Sequence, residues 1–330
     1  MILVKFLRNI DLKPYFYYAL EEYILNNVLK EMDEVFFFLW TIKGVVIGKN
    51  QVIENEVNLD YVKKNKINLF RRPTGGGCVY NDEETPLYSI ITKRKNQNFT
   101  FKEHLNKIIP PFKKLGVDLY FSGRNDILLE NKKVSGNAFL QNQNGIIIHG
   151  TLLYNCDIDV MVRCITPSNE KLISKGIDSV SARVTNLKDH LDGMSKDELV
   201  RYLEKELAQK EYVLSEEEIA KVEMLSQKYS SEKWLYFEHP QYSKTLKKHF
   251  SWGKLEILLD LQKGKIQQMN LRGDFFHKED NLSLFIDPFI DVYYRKEDLE
   301  KVLKTHNIGD FILNANNQDL LSLLEEGLLI

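Results

Sequence analysis

The chain has 330 residues, 43% of them hydrophobic, and its 45 basic and 47 acidic side chains nearly cancel to a formal charge of -2. This is enough apolar material for a core that needs no staples, in one large domain or two unequal ones. The balance excludes a broad field for nucleic acid or an anionic membrane, so any anion must be bound locally.

In chain order, Phe16, Ala19, Leu20, Tyr23, Ile24 and Val28 recur at helical spacing and predict a helix over 15–30, with Pro14 near its start. The run "EVFFFLW" and the segments 44–48, 67–71, 86–92, 126–130 and 146–154 are rich in strand formers and bounded by Gly, Asn, Asp or Pro. A helix is expected over 101–115, and two more over 195–230, the first opened by the capping sequence "SKDE". With no regular βαβ alternation, the fold class reads as α+β. A stretch poor in aliphatics and containing Pro240 suggests a linker near 238–250. Beyond it come a hairpin turning at Lys263 and Gly264 and helices near 296–305 and 317–326. The expected division is a catalytic domain over 1–244 and a small α+β accessory domain over 245–330, able to swing on the linker.

Cys78, Cys156 and Cys164 form no C-x-x-C pair, so neither a disulfide framework nor a cysteine zinc site is expected. No stretch approaches the roughly 18 apolar residues of a membrane span, and the chain reads as cytoplasmic.

The stretch "RRPTGGGCVYND" at 71–82 carries most of the chemistry. Three successive glycines fit either a tight turn with a bulge or a backbone that something must approach closely. Arg71 and Arg72 beside free N–H groups suit a phosphate or carboxylate, with one of the two arginines expected on the solvent face. There is no Walker A loop, G-x-G-x-x-G, G-x-S-x-G or H-E-x-x-H. In "GRNDILLENKKVSGNAF" a polar turn joins two strands; Lys133 opens the second and projects toward the glycine-rich turn if the two are neighbours, while Lys132 is solvated. Asn125 and Asp126 either cap that turn or offer oxygen ligands to Mg2+ beside phosphates. His149 sits alone in an apolar run, as a satisfied core histidine does, and no structural metal is expected.

Taken together, "ALEEYIL" (19–25), "VVIGKNQ" (45–51), "RRPTGGGCVYND", "GRNDILL" (123–129), "KKVSGNAF" (132–139), "HGTLLYN" (149–155), "LISKGIDSVSARVTNL" (172–187) and "GDFF" (273–276) resemble, in order, the lipoate-protein ligases of the biotin/lipoate ligase superfamily. The resemblance implies mixed sheets flanked by helices, and a two-step reaction. ATP and lipoate give lipoyl-AMP and pyrophosphate, and the acyl group then passes to a lysine of a lipoyl domain, of a 2-oxoacid dehydrogenase E2 subunit or of the glycine cleavage H protein. It further implies that Lys133 is catalytic, touching acyl carbonyl and phosphate. Arg72, Gly75, Gly76, Gly77, Cys78, Val79, Tyr80 and Asp126 would bind ATP and the adenylate, with Asp126 near Mg2+. Glu21, Trp40 and His149 would line the lipoate pocket. Thr74 after Pro73, the segment "ETPLYSI" and Leu140 depart from the family pattern, so an arginine contact to the lipoyl tail is not expected. The alternatives are a transferase working through a cysteine thioester, a transferase using ready-made lipoyl-AMP, and a non-catalytic lipoate sensor. Biotin ligation lacks its glycine- and arginine-rich loop.

Overall fold

The apolar run at 35–40 becomes the strand Phe36–Trp40, and its place in the sheet explains its composition. The computed structural model describes residues 1–6, 15–31, 34–51, 53–93, 101–123, 125–165, 183–236 and 244–328. Among them an eight-stranded sheet runs in the order Lys210–Leu214, Ile2–Phe6, Phe36–Trp40, Leu87–Thr92, Gly145–Thr151, Lys132–Asn142, Asp126–Leu129, Tyr120–Ser122. The first two junctions are parallel and the others antiparallel.

Neighbouring residues on a strand point to opposite faces. Here Phe36, Phe38 and Trp40 pack with Ile91 and Ile147 beneath the helix Phe16–Tyr23. Phe37 packs the other way, with Ile90, Phe139, Leu105, Phe112 and Leu199. Because both faces are buried, the strand is continuously apolar rather than alternating. The helix continues through a π turn, Ile24–Val28, into Leu29–Glu31, over the span its periodicity indicates.

Three expectations are revised. The helix expected over 101–115 is two helices, Phe101–Leu105 and Ile109–Lys114, because Pro110 and Pro111 lack an N–H and fit only a first turn. Between the capped helices Lys196–Leu207 and Glu216–Ser230 lies a strand, Lys210–Leu214, held by parallel pairing with Ile2–Phe6. It is mostly exposed, so no apolar pattern announces it. In the linker reading, 244–250 is instead an edge strand with Leu246 as its buried residue; Pro240 lies outside the described residues.

A second sheet of three strands places Gly44–Ile47 between Leu69–Arg71 and Val79–Asn81. The separate C-terminal domain has its own sheet, Lys244–Phe250, Gly253–Gln262 and Lys265–Gly273, turning at Lys263 (φ 51) and Gly264 (φ 76), the left-handed pair that a tight hairpin requires. Its helices Lys296–Thr305 and Asn317–Glu326 close a core around Ile257, Phe285, Leu299 and Leu320.

The segment after this hairpin docks on the N-terminal part. The N–H of Gly273 donates to the Asn50 carbonyl at 3.2 Å, Asn50 Nδ2 meets His277 Nε2 at 2.5 Å, and Lys49 and Asp280 pair at 3.4 Å. Burial, helped by Lys49, pushes the His277 imidazole down to about 3. His277 is therefore neutral in the fold, whereas an unfolded chain protonates it below about 6.5. Stability is lost as pH falls from about 6.5 toward 3, at up to about 1.4 kcal/mol per pH unit. In urea titrations at pH 7 and pH 5, His277→Gln should shrink the difference in unfolding free energy by roughly 2 kcal/mol relative to wild type.

Candidate active site

A cavity of about 110 Å³ opens between the two N-terminal sheets. The large sheet contributes Trp40, Leu87, Ala138, His149 and Thr151, and the small one Val46, Val79 and Asn81. Gly76, Gly77 and Cys78 form one lip and Lys133 with Asn125 another.

Lys133 owes its direction to a bulge. Asp126 pairs with Gly136 and Ile127 with Ser135, but Leu128 pairs with Lys133, so the register slips by one residue at Val134. In a regular strand positions 133 and 136 would face opposite sides. The extra residue re-aims the side chain, and Lys133 lies across Gly136 with its Nζ 2.8 Å from Asp126 Oδ1. A Cβ on Gly136 would sit 2.9 Å from Lys133 Cε and Nζ, so the glycine of "KKVSGNAF" makes room for the ammonium. The backbone of Lys133 is pinned from the other side by Arg183 O (2.7 Å) and Thr185 N (3.0 Å). Asn137 fixes the facing turn: its Nδ2 donates to Asn125 O at 2.9 Å, Asn125 Nδ2 donates back to Asn137 O at 2.5 Å, and its Oδ1 accepts from Tyr88.

Both arginines are buried, Arg71 at 2% and Arg72 at 5% exposure, which corrects the expectation that one of them faces solvent. The reason is a ring of converging carbonyls. Arg71 Nη1 donates to Gly48, Lys49 and Gln51. Arg72 donates through Nε to Thr74 Oγ1, through Nη1 to Val46 O, and through Nη2 to the carbonyls of Gly75 and Gly77, each at 2.7 Å. Such bonds offset the large cost of burying a cation. Arg72 thus holds the glycine loop from within while edging onto the cavity.

The three glycines divide by environment. A Cβ on Gly75 would lie 2.2 Å from the Phe275 carbonyl, and one on Gly76 2.9 Å from the Phe276 ring. The Gly76 N–H donates to Phe275 O at 3.3 Å, and Phe276 continues into the core against Phe101 and Phe139. In this arrangement the bare backbone of Gly75 and Gly76 receives the accessory domain's "GDFF" segment. Gly77 faces open space, with nothing within 4 Å of a Cβ. Gly75→Ala should therefore lower unfolding free energy by about 1–3 kcal/mol through forced displacement of backbone, and Gly77→Ala should stay within about 0.5 kcal/mol; urea denaturation of the pair distinguishes the two sites.

Behind the cavity wall lies a polar chain. Arg72 Nε donates to Thr74 Oγ1, which meets His149 Nε2 at 2.9 Å, and His149 Nδ1 lies 2.9 Å from Glu21 Oε1. Ser89 donates to the same oxygen at 2.5 Å and itself accepts from Trp40 Nε1 at 2.9 Å. A carboxylate only accepts, so His149 donates from Nδ1 to Glu21, while its Nε2 faces the Thr74 hydroxyl. Glu21 is fully buried, and His149 presents its ring to the cavity from this anchor.

Of the residues proposed from sequence, Trp40, Arg72, Gly76, Gly77, Cys78, Val79, Lys133 and His149 meet on this cavity. Glu21 stands behind His149, Asp126 beside Lys133, and Gly75 against Phe275. Tyr80 packs with Val45 and Cys156 on the far side of its strand, as the period of two requires for a residue between Val79 and Asn81. Sequence reasoning missed Asn81, Leu87, Asn137 and Thr151; the alternation Val79, Asn81 was the one local signal for any of them. Residues 166–182, which include most of the segment "LISKGIDSVSARVTNL", and Arg124 lie outside the described residues.

Comparison with known proteins agrees with this arrangement. Residues 13–208 match the lipoyl protein ligase A/B catalytic domain and 239–324 the bacterial lipoate protein ligase C-terminus. The lipoate-protein ligase LplJ of Bacillus subtilis is 31% identical over 316 residues, covering 93% of this chain and 95% of its own. P. falciparum LipL1, solved in complex with lipoate, superposes with a TM-score of 0.77 at 25% identity, over 100% of this chain and 99% of the other. A lipoate-protein ligase A solved with ATP bound gives 0.59 at 26% identity, over 71% and 98% of the two chains. With two family domains in sequence and an apolar cavity guarded by a lysine and a glycine loop, the chain belongs to the lipoate-protein ligase family and is an enzyme of that class.

Proposed function

We propose that the enzyme activates lipoate with ATP and then hands the lipoyl group to a lysine of a lipoyl domain. The observation that carries this reading is the meeting of one ammonium, Lys133, with an open backbone at Gly77 on the rim of an apolar cavity. The lipoate carboxylate attacks the α-phosphate of ATP, a phosphorus–oxygen bond forms, and pyrophosphate leaves. In the second step the acceptor amine attacks the acyl carbon, AMP departs, and the amine proton goes to solvent. Lys133 is placed to draw carboxylate and phosphate together and to offset charge developing between them. The apolar wall of Trp40, Val46, Val79 and Leu87 suits the acyl chain. For a nucleotide to reach the Gly76 N–H, the Phe275 carbonyl must first leave it.

Mg2+ is expected with the nucleotide. Asp126 already pairs with Lys133, and among the described residues no group of three His, Cys, Asp or Glu forms a cage. Asp126 fits the single-carboxylate manner in which Mg2+ is held beside phosphates, and its role here is to orient Lys133. The acceptors proposed are E2 subunits of 2-oxoacid dehydrogenases and the glycine cleavage H protein. Among the described residues no helix is long and apolar enough to cross a membrane, and the cytoplasm is the proposed setting.

The thioester route is disfavoured by the cysteines: burial pushes the Cys78 thiol up and raises Cys156 and Cys164 to about 12, which leaves little thiolate at neutral pH. Lipoate-dependent exchange of labelled pyrophosphate into ATP by the purified protein tests the reading. Exchange is expected; its absence, with transfer from supplied lipoyl-AMP intact, would assign the chain to the adenylate-only transferases.

A further inference from the structure

On the cavity wall, the amides and charges of Arg72, Asn125, Lys133, Asn137 and His149 all have partners. Asn81 does not. It is 0% exposed, it lines the cavity, and among the described residues neither its Nδ2 nor its Oδ1 has a hydrogen-bond partner. A buried amide left unpaired is costly, and one kept in a ligand cavity is stability given up for recognition. The strand registers decide which end of the cavity it serves. Asn81 ends its strand opposite Gly44, and residues 82–86 turn the chain directly into Leu87. Leu87 lies opposite Thr151, Thr151 Oγ1 accepts the Gly136 N–H at 3.3 Å, and Lys133 lies across Gly136. Two residues earlier, Val79 pairs with Val46, whose carbonyl holds Arg72, and the chain Arg72–Thr74–His149 marks the other end in both sheets. Asn81 therefore stands at the Lys133 end.

We propose that Asn81 belongs to the reaction centre: its amide N–H donates to the carboxyl oxygen of the acid that does not bond to phosphorus. The proposal rests on the ligase reading above and deepens it. In the first step Lys133 draws the carboxylate to the α-phosphate, and Asn81, by holding one oxygen, leaves the other to attack. In the second step a bond forms between the acceptor amine and the acyl carbon, and the carbonyl π pair moves onto the oxygen that Asn81 holds. That pair returns as the bond to AMP breaks, with the amine proton passing to solvent. A donor already aimed at this oxygen is worth most while it carries the charge. The amide's idle Oδ1 is an acceptor, which matches the N–H of the arriving amine. None of these contacts involves the tail, so a dithiolane acid and a straight-chain acid depend on Asn81 equally.

The test is Asn81→Leu, read in pyrophosphate exchange with lipoate and with octanoate, in transfer from supplied lipoyl-AMP to an E2 lipoyl domain, and in melting of the ligand-free protein. In exchange, kcat/KM for the acid should fall about tenfold, the loss of one hydrogen bond to a charged group, by the same factor for both acids and with KM for ATP unchanged. Transfer should fall about a hundredfold, as on removal of one oxyanion donor. The free protein should melt no lower, because leucine leaves no unpaired amide. Asn81→Thr, which keeps an O–H donor, should recover part of the loss, whereas Asn81→Asp, which has no N–H and sets a charge against the carboxylate, should not; this pair also serves if the leucine variant fails to fold. Wild-type exchange in folded variants overturns the proposal. So does a loss confined to KM for ATP, which puts the amide on the nucleotide, and so does a lower melting point with no recovery in Asn81→Thr, which marks a structural amide. Wild-type protein with neither exchange nor transfer overturns the ligase reading instead.

Discussion

Lys133→Ala is expected to lower lipoate-dependent pyrophosphate exchange by a factor on the order of 10²–10³, the loss typical of removing one charge-stabilising donor from a transition state. Stability should hardly move. The Lys133–Asp126 pair is about a third exposed, 35% and 33%, and pairs that accessible to water contribute at most about 1 kcal/mol. A circular dichroism spectrum and urea midpoint close to wild type, with exchange lowered by that factor, are the joint result expected; near-normal exchange would remove Lys133 from the chemistry. A companion variant separates position from charge. Gly136→Ala leaves the ammonium intact but puts a methyl 2.9 Å from it, so exchange should drop while the titratable group remains.

Glu21→Ala is expected to have the largest effect on stability. Its carboxylate is the shared acceptor for His149 Nδ1 and Ser89 Oγ, and through Ser89 it supports Trp40. Removing it strands two buried donors at about 1–3 kcal/mol each. The total should reach about 3–5 kcal/mol in urea denaturation, with binding of lipoate weakened as His149 and Trp40 lose their positions. Glu21→Gln, which keeps an acceptor oxygen, should recover a good part of the stability. A loss under about 1 kcal/mol for Glu21→Ala would mean that water replaces the carboxylate and that the chain from Arg72 to Trp40 is not a unit.

The two variants act on the same cavity, one at its rim and one behind its wall. The helix carrying Glu21, the hairpin carrying Lys133 and the strand carrying His149 were legible because each is a local pattern: a period of 3.6, a polar turn between β-rich runs, an apolar run bounded by glycine. The accessory hairpin was equally legible, since Lys263 and Gly264 encode their own turn. The edge strands Lys210–Leu214 and Lys244–Phe250 were not. Most of their side chains meet water, and what makes them strands is backbone pairing, with Ile2–Phe6 far along the chain for the first and with the adjoining Gly253–Gln262 for the second.

The chain by itself determined its main strands and helices and the capped start of Lys196–Leu207, because these follow from side-chain periodicity and a few turn residues, and its ordered motifs carried the resemblance to the family. Tertiary structure alone decided three things at the site. The bulge at Val134 turned Lys133 onto the face of Gly136, a shift that no alternation predicts. The ring of carbonyls drew Arg71 and Arg72 inside, because a guanidinium with enough acceptors can be buried. The docking of Phe275 and Phe276 gave Gly75 and Gly76 their reason for lacking a side chain. The last two depend on contacts between segments distant in sequence, and the first on a register slip within one hairpin that no residue type marks, so none could be read from the residues that make it.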